Sequence, residues 1–403
     1  MHLLSLLSLS LSLVPGISGR YTLNIPPLLT PGPIQADYRT PSLTQSDLDS
    51  PKLPRANTST FDWWAFDAIS LEQPNAAVSI TFSNAGPTGY PLDLPDVSYV
   101  FPNGTGTGTG QNATEGERGS LYAHVAVTFP DGRSVRHVQP VESARMHGSG
   151  DSSVAIWHGA GGWMGSEEGY EVELVVNQTI SGNASASEGV SIVGGISMER
   201  ITNPHTLCST PTNFSESLAL GERGLGWVGV LPDAMARVDV TVNGERLMFD
   251  GYGFHDKVWS TAPFTSSTGT LHRGRAHLGL YSLVWVSYTP SSSSTTPNPI
   301  DGQDRETITS HFLARDGEII SSGCAPDSVS IVPGTEQTEG GLVSGFRLSM
   351  PGVEVSVAGD NEVLDGPEGN QAGRGHTRWH GRARGMIEGN DEEGVAVFER
   401  FEY

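Results

Sequence analysis

Three consecutive residues, His255, Asp256 and Lys257, bring together an imidazole, a carboxylate and an ammonium inside the run Phe249 to Trp259. Such groups suit proton transfer and hydrogen-bond donation to a polarised oxygen. In that chemistry Asp256 orients His255, and His255 and Lys257 act as donors. The competing reading is that the triplet satisfies itself and nearby backbone, locking a domain junction without touching substrate.

The elements that must position the triplet are legible upstream. Ala236 to Val242 alternates polar and apolar residues, and Asn243-Gly244 is the strongest short hairpin signal a sequence offers. The returning strand, Glu245 to Asp250, is expected to deliver His255-Asp256-Lys257 to a hairpin end beside bulky rings.

The 403 residues suggest two domains. Fifty Gly, 26 Pro and abundant Ser and Thr fit an all-β protein with many turns. A formal net charge of -22 and scattered arginines, among them Arg273, Arg275, Arg382 and Arg384, argue against nucleic acid, which needs clustered cations. Residues 1–19 resemble a secretory signal: Leu3 to Val14 is apolar but too short to span a bilayer, and Pro15-Gly16 breaks it. A secretory, vesicular or extracellular location is therefore expected, with no stable membrane span. Sequons at Asn57, Asn103, Asn112, Asn177, Asn183 and Asn213 are candidate glycosylation sites. Cys208 and Cys324 allow one bridge between the two halves or two separate thiols.

Residues 20–55 are rich in Pro, Ser and Thr and are expected to form an extended lead-in. Short alternating runs follow at about ten-residue spacing, and no window of helical period is long enough to build a core. A polar gap over 203–222 suggests an N-terminal β domain over 56–220 and a C-terminal β domain over 221–403. Gly224 to Gly229 matches a dinucleotide fingerprint by letter, but Pro232 follows and no strand–helix context exists. His376 and His380 would share one strand face too far apart for a simple chelate, so no metal is expected. Tryptophans in or beside probable strands suggest an aromatic cavity for a bulky apolar ligand. Its candidate wall residues are Trp63, Trp64, Phe66, Trp227, Tyr252, Trp259, Trp285 and Trp379.

Several blocks together carry a resemblance. They are Phe61-Asp62-Trp63-Trp64-Ala65-Phe66-Asp67; Gly226-Trp227 with Pro232; Gly251-Tyr252-Gly253-Phe254-His255-Asp256-Lys257-Val258-Trp259; Gly274-Arg275 before Tyr281 to Trp285; Arg378-Trp379-His380-Gly381-Arg382; and Gly394 to Glu399. In this order they resemble the lipocalin-like fungal Diels–Alderases, related to carotenoid 1,2-hydratases of the hydroxyneurosporene synthase type. Phe254, Val258 and Ser260 stand where that family carries Tyr, Asn and Gly. The resemblance implies an N-terminal β-sandwich and a C-terminal lipocalin-like β-barrel with a hydrophobic cavity between them. It also implies a cofactor-independent intramolecular [4+2] cycloaddition of a linear polyene made by a polyketide–nonribosomal peptide synthase. The product would be a decalin or isoindolone-type ring, with His255 and Lys257 donating to a tetramate or pyrrolone carbonyl. A hydratase or isomerase of an isoprenoid or polyene, with Asp256 as general acid, and a non-catalytic lipocalin-like carrier are the alternatives.

Overall fold

The computed structural model describes residues 20–39, 42–73, 75–91, 94, 118–178, 189–208, 218–220, 225–291, 307–326, 328–334, 345–365 and 375–403. The expected signal segment and the sequons at Asn103, Asn112, Asn183 and Asn213 lie outside them. Asn177 is exposed on the first sheet, whereas Asn57 is half-buried and donates from Nδ2 to the Gly32 carbonyl at 2.8 Å.

The first thirteen strands are β1 (Tyr21–Ile25), β2 (Phe61–Ser70), β3 (Ala77–Ala85), β4 (Leu121–Thr128), β5 (Ser134–Pro140), β6 (Ala144–Ser149), β7 (Ser152–Trp157), β8 (Gly161–Ser166), β9 (Gly169–Gln178), β10 (Val190–Arg200), β11 (Ala219–Leu220), β12 (Leu225–Val242) and β13 (Glu245–Ser260). They form one antiparallel sheet ordered β1-β6-β7-β8-β9-β10-β12-β13-β2-β3-β4-β5, with β11 beside β12. The remaining nine are β14 (Thr268–Leu278), β15 (Tyr281–Pro290), β16 (Ile308–Arg315), β17 (Glu318–Gly323), β18 (Ser330–Pro333), β19 (Gly345–Met350), β20 (Val353–Asp365), β21 (Gly375–Ile387) and β22 (Asn390–Glu402). They form a second sheet ordered β17-β16-β15-β14-β22-β21-β20-β19-β18. Each sheet curls around its own core, which meets the expectation of a two-domain, all-β, lipocalin-like protein. The change of sheet falls between Ser260 and Thr268, not near residue 220, because the β12–β13 hairpin pairs with β10 and β2.

Turn chemistry sets the hairpins. Asn243 and Gly244 both take positive φ, 50° and 86°, the geometry whose twist matches a tight hairpin. Asp316 and Gly317, at 48° and 82°, do the same between β16 and β17. Strand β13 does not stop at Asp250. It continues to Ser260 by pairing with β12 on one side and β2 on the other, so the His-Asp-Lys triplet lies within a central strand rather than at a hairpin end. Pro232, which has no N–H to donate, coincides with the register shifts in β12.

The lead-in is not merely extended. Strand β1 adds to β6, and a short helix α1 (Gln45–Asp49) is buried at all five positions. Trp64 Nε1 donates to the Asp49 carbonyl at 2.9 Å, and Leu48 and Leu53 join the first core beside Trp64.

Cys208, in a turn of the connection that follows β10, is disulfide-bonded to Cys324, just past β17. The bridge spans a sequence separation of 116 residues and ties the first sheet's connection to the second sheet. Replacing both cysteines with Ser should lower unfolding free energy by about 2–4 kcal/mol. Denaturant titration of wild type with and without reductant, beside the double variant, measures this; equal midpoints in all three would contradict it.

Candidate functional site

Successive side chains of a strand point to opposite faces. Along β13, His255, Lys257 and Trp259 turn into the first core, while Phe254, Asp256 and Val258 turn toward the second sheet. The adjacent strand β2 divides likewise, with Trp64 and Phe66 on the inner face and Phe61, Trp63 and Ala65 on the inter-sheet face.

His255 is fully buried. Its Nε2 lies 3.0 Å from Asp49 Oδ1, its Nδ1 lies 2.8 Å from the Ala65 carbonyl, and its ring stacks on Phe66 at 4.0 Å. Asp49 also accepts from Tyr170 at 2.7 Å and from Ser153. Burial alone would raise the Asp49 pKa, but His255, Ser153 and Tyr170 outweigh it and hold the carboxyl below its usual range. Lys257 is ion-paired with Asp62 and lies 3.6 Å over the Trp64 ring. Burial lowers the lysine to about 7 despite that partner. Asp62 Oδ2 accepts from the backbone of Lys52 at 2.7 Å and Leu53 at 3.1 Å. His255 and Lys257 therefore clamp the lead-in onto the first sheet. The expectation that Asp256 orients His255 is corrected, since neighbours in a strand face apart; Asp49, from the lead-in, takes that position.

Asp256 belongs to a different assembly. Its Oδ2 lies 2.5 Å from Arg273 Nη1 and 2.6 Å from Arg275 Nη2, and accepts from Trp227 Nε1 at 3.1 Å. Arg273 also reaches Glu399 at 2.6 Å. Arg378 pairs with Asp67, and its Nη1 is 3.9 Å from Glu399. His376 Nε2 lies 2.8 Å from Glu399 Oε2, and His380 Nε2 lies 3.7 Å from Asp67 Oδ1. Three guanidinium groups thus meet three carboxylates between the sheets. Burial lowers the pKa of both His376 and His380 in spite of their carboxylate neighbours. Burial opposes ionisation of Glu399 and Asp67 too, but the arginines prevail. Glu399 is held well below its usual range by Arg273 and Arg378, and Asp67 falls to about 2 with Arg378 as the largest lowering influence.

Of the eight expected wall residues, Trp63, Trp227 and Tyr252 sit between the sheets, Tyr252 stacking on His277 at 3.6 Å. Trp64, Phe66 and Trp259 fill the first core, and Trp285 and Trp379 fill the second. Glycines make room for two of these rings. A Cβ on Gly226 would meet Trp259 at 2.1 Å, and one on Gly274 would meet Trp285 at 2.2 Å. Phe61, Phe264 and Phe401 complete the inter-sheet aromatic layer. A void of about 10 Å3 lies there beside Trp227, Arg273, Arg275 and Glu399. Sequence reading missed Asp49, Asp67, Arg378 and Glu399 as site residues. The signal available was alternation: Arg273-x-Arg275-x-His277 and His376-x-Arg378-x-His380 each place polar groups on one strand face.

Two curled sheets clasping an aromatic and ionic interface define a lipocalin-like two-domain protein. The sequence model of the Diels-Alderase-like family matches residues 109–330, and the chain belongs to that family. The quinolone epoxide rearrangement protein asqO of Emericella nidulans is 28% identical over 301 residues, 73% of this chain and 69% of that protein. The quinolone epoxide rearrangement protein penF of Penicillium thymicola is 26% identical over 371 residues, 89% of this chain and 90% of its own. The crystal structure of CghA shares the fold, with a TM-score of 0.64 at 15% identity, covering 94% of this chain and 97% of that one. Family and relatives support catalysis rather than carriage.

Two outcomes follow from the geometry. Lys257→Ala leaves Asp62 buried without its cation and should cost about 3–5 kcal/mol of stability, read by thermal or denaturant unfolding. A loss below about 1 kcal/mol would contradict the clamp. For Asp67 and Glu399, the folded pKa lies below the unfolded one, so their contribution is present above about pH 4 and is lost as pH falls through the folded value. Asp67, lowered from 3.8 to about 2, accounts for on the order of 2 kcal/mol. Melting temperature should fall from pH 4 toward pH 2, and Asp67→Asn should flatten that decline.

Proposed function

We propose that the protein is a cofactor-independent isomerase of fungal secondary metabolism, which holds an amide-containing, largely apolar substrate between its sheets and rearranges or cyclises it without change of mass. The observation that carries this reading is the set of buried donors against the inter-sheet aromatic layer. Arg273 Nε, Arg275 Nη1 and Arg378 Nε have no hydrogen-bond partner among the described residues. Donors fixed in a water-poor site stabilise an oxygen that gains negative charge, each typically worth about 10²–10³ in rate. The aromatic layer supplies the complementary function, holding the apolar part of the substrate in a reactive conformation. Asp256 acts as a positioning residue by holding Arg273 and Arg275.

Opening an epoxide places a full negative charge on the departing oxygen, which a cluster of guanidinium donors suits best. Similarity to two quinolone epoxide rearrangement proteins favours the same chemistry. Membership of the Diels-Alderase-like family favours a second reading, a [4+2] cycloaddition of a linear polyene tetramate or pyrrolone from a polyketide–nonribosomal peptide synthase. In that reaction the donors would polarise the dienophile's carbonyl. Secretory targeting by residues 1–19 belongs to the same proposal, and the Cys208–Cys324 bridge suits an oxidising compartment.

Purified protein should convert either a quinolone epoxide or a linear polyene tetramate into an isomer of equal mass, followed by mass spectrometry and NMR. Arg273→Lys, which keeps the charge but loses the planar fork, should slow conversion roughly 10²-fold with little change in melting temperature. A product heavier by one water would favour hydration. No acceleration of either substrate would sink the isomerase reading.

A further inference from the structure

The inter-sheet face of β2, β3 and β4 carries polar side chains that the ionic network leaves out. Trp63 stands opposite Ser83, and Ser83 lies diagonal to His124, because Ser83 pairs with Tyr122 and Thr81 with His124. Directly opposed residues of antiparallel strands share a face, so Trp63, Ser83 and His124 point the same way. They are 4%, 0% and 7% exposed, and Trp63 Nε1, Ser83 Oγ and His124 Nε2 have no hydrogen-bond partner among the described residues. Buried polar atoms are nearly always paired, so neighbouring exceptions on one face call for a ligand. Trp157 and Trp163 also carry unpartnered indole N–H groups, but they lie against the rings of Trp64 and Phe82 in a closed apolar core.

Tyr90 covers this patch. Its ring meets Trp63 edge-on at 5.3 Å and tilts over His124 at 5.0 Å. The loop bearing it is pinned. A Cβ on Gly86 or Gly89 would strike backbone of Asn57 to Thr60 at 2.0–2.7 Å, and Phe264 N–H donates to the Gly89 carbonyl at 3.1 Å. The side chain of Tyr90, rather than its loop, is therefore the part that can yield.

We propose that Trp63, Ser83 and His124 form a subsite for a planar lactam ring, which occupies the place of the Tyr90 ring. The lactam carbonyl accepts from Trp63 Nε1, and the lactam N–H donates to Ser83 Oγ or His124 Nε2. Burial holds His124 at about 3, so its imidazole is neutral and one ring nitrogen is an acceptor. The subsite rests on the isomerase reading and assigns the amide end of the substrate to β2–β4, with the reacting oxygen toward Arg273 and Arg378.

Binding of carbostyril, a bare quinolone lactam, and of naphthalene, its hydrocarbon counterpart, tests this by calorimetry on the full protein. Carbostyril should bind wild type and lose about tenfold in affinity to Trp63→Phe and to Ser83→Ala, whereas naphthalene should be indifferent to both. Tyr90→Ala should tighten both probes. Ser83→Ala should not lower the melting temperature, because no internal hydrogen bond is lost. The subsite is overturned if carbostyril binds neither wild type nor Tyr90→Ala, if its affinity ignores both Trp63→Phe and Ser83→Ala, or if Ser83→Ala proves destabilising. Retained lactam binding without turnover would instead remove the isomerase reading and leave the subsite standing.

Discussion

Strand β2, and β13 from Gly253 to Ser260, have no solvent face where they pair, and everything else in the structure adjusts to that constraint. All ten residues of β2 are buried, as are the last eight of β13. Each charged side chain in these strands must find its partner inside the protein, since an isolated buried charge costs several kcal/mol. Alternation sends the partners in opposite directions. His255 and Lys257 find theirs in Asp49 and Asp62 on the inner face, and Asp256 and Asp67 find theirs in arginines of the second sheet.

The two ionic layers do different work. The inner one fixes the lead-in: His255 meets Asp49, and Asp62, paired with Lys257, accepts from the backbone of Lys52 and Leu53. The outer one joins two sheets that each have a core of their own and share an aromatic layer. Buried ion pairs add little net stability over well-packed apolar residues, but they penalise any displaced arrangement strongly. Arg273, Arg275 and Arg378 are therefore held against carboxylates from both sheets, while several of their N–H groups have no protein partner among the described residues. A site that must meet a developing negative charge needs donors oriented before the reaction begins.

Much of the architecture was legible because it depends on local chemistry. Asn243-Gly244 and Asp316-Gly317 dictate tight turns, and alternating short runs dictate strands, so the hairpins and the all-β class follow from neighbours in sequence. The family also declared itself through blocks spread from Phe61 to Glu399. The division of the chain was harder to read. The polar gap over 203–222 marks a change of composition, whereas sheet membership is decided by which distant edge β12 and β13 pair with.

Residue type and order determined which groups were available: an imidazole, a carboxylate, an ammonium and the surrounding indoles. Tertiary structure decided which of them meet. Period-two geometry splits His255-Asp256-Lys257 across two faces, and only the placement of both faces against other elements gives Asp49, rather than Asp256, to His255. The same rule separates Trp63 from Trp64 and leaves one at the inter-sheet surface and the other in a core. Adjacent letters in a doubly buried strand belong to different environments, because the pleat turns them apart and distant segments supply each side.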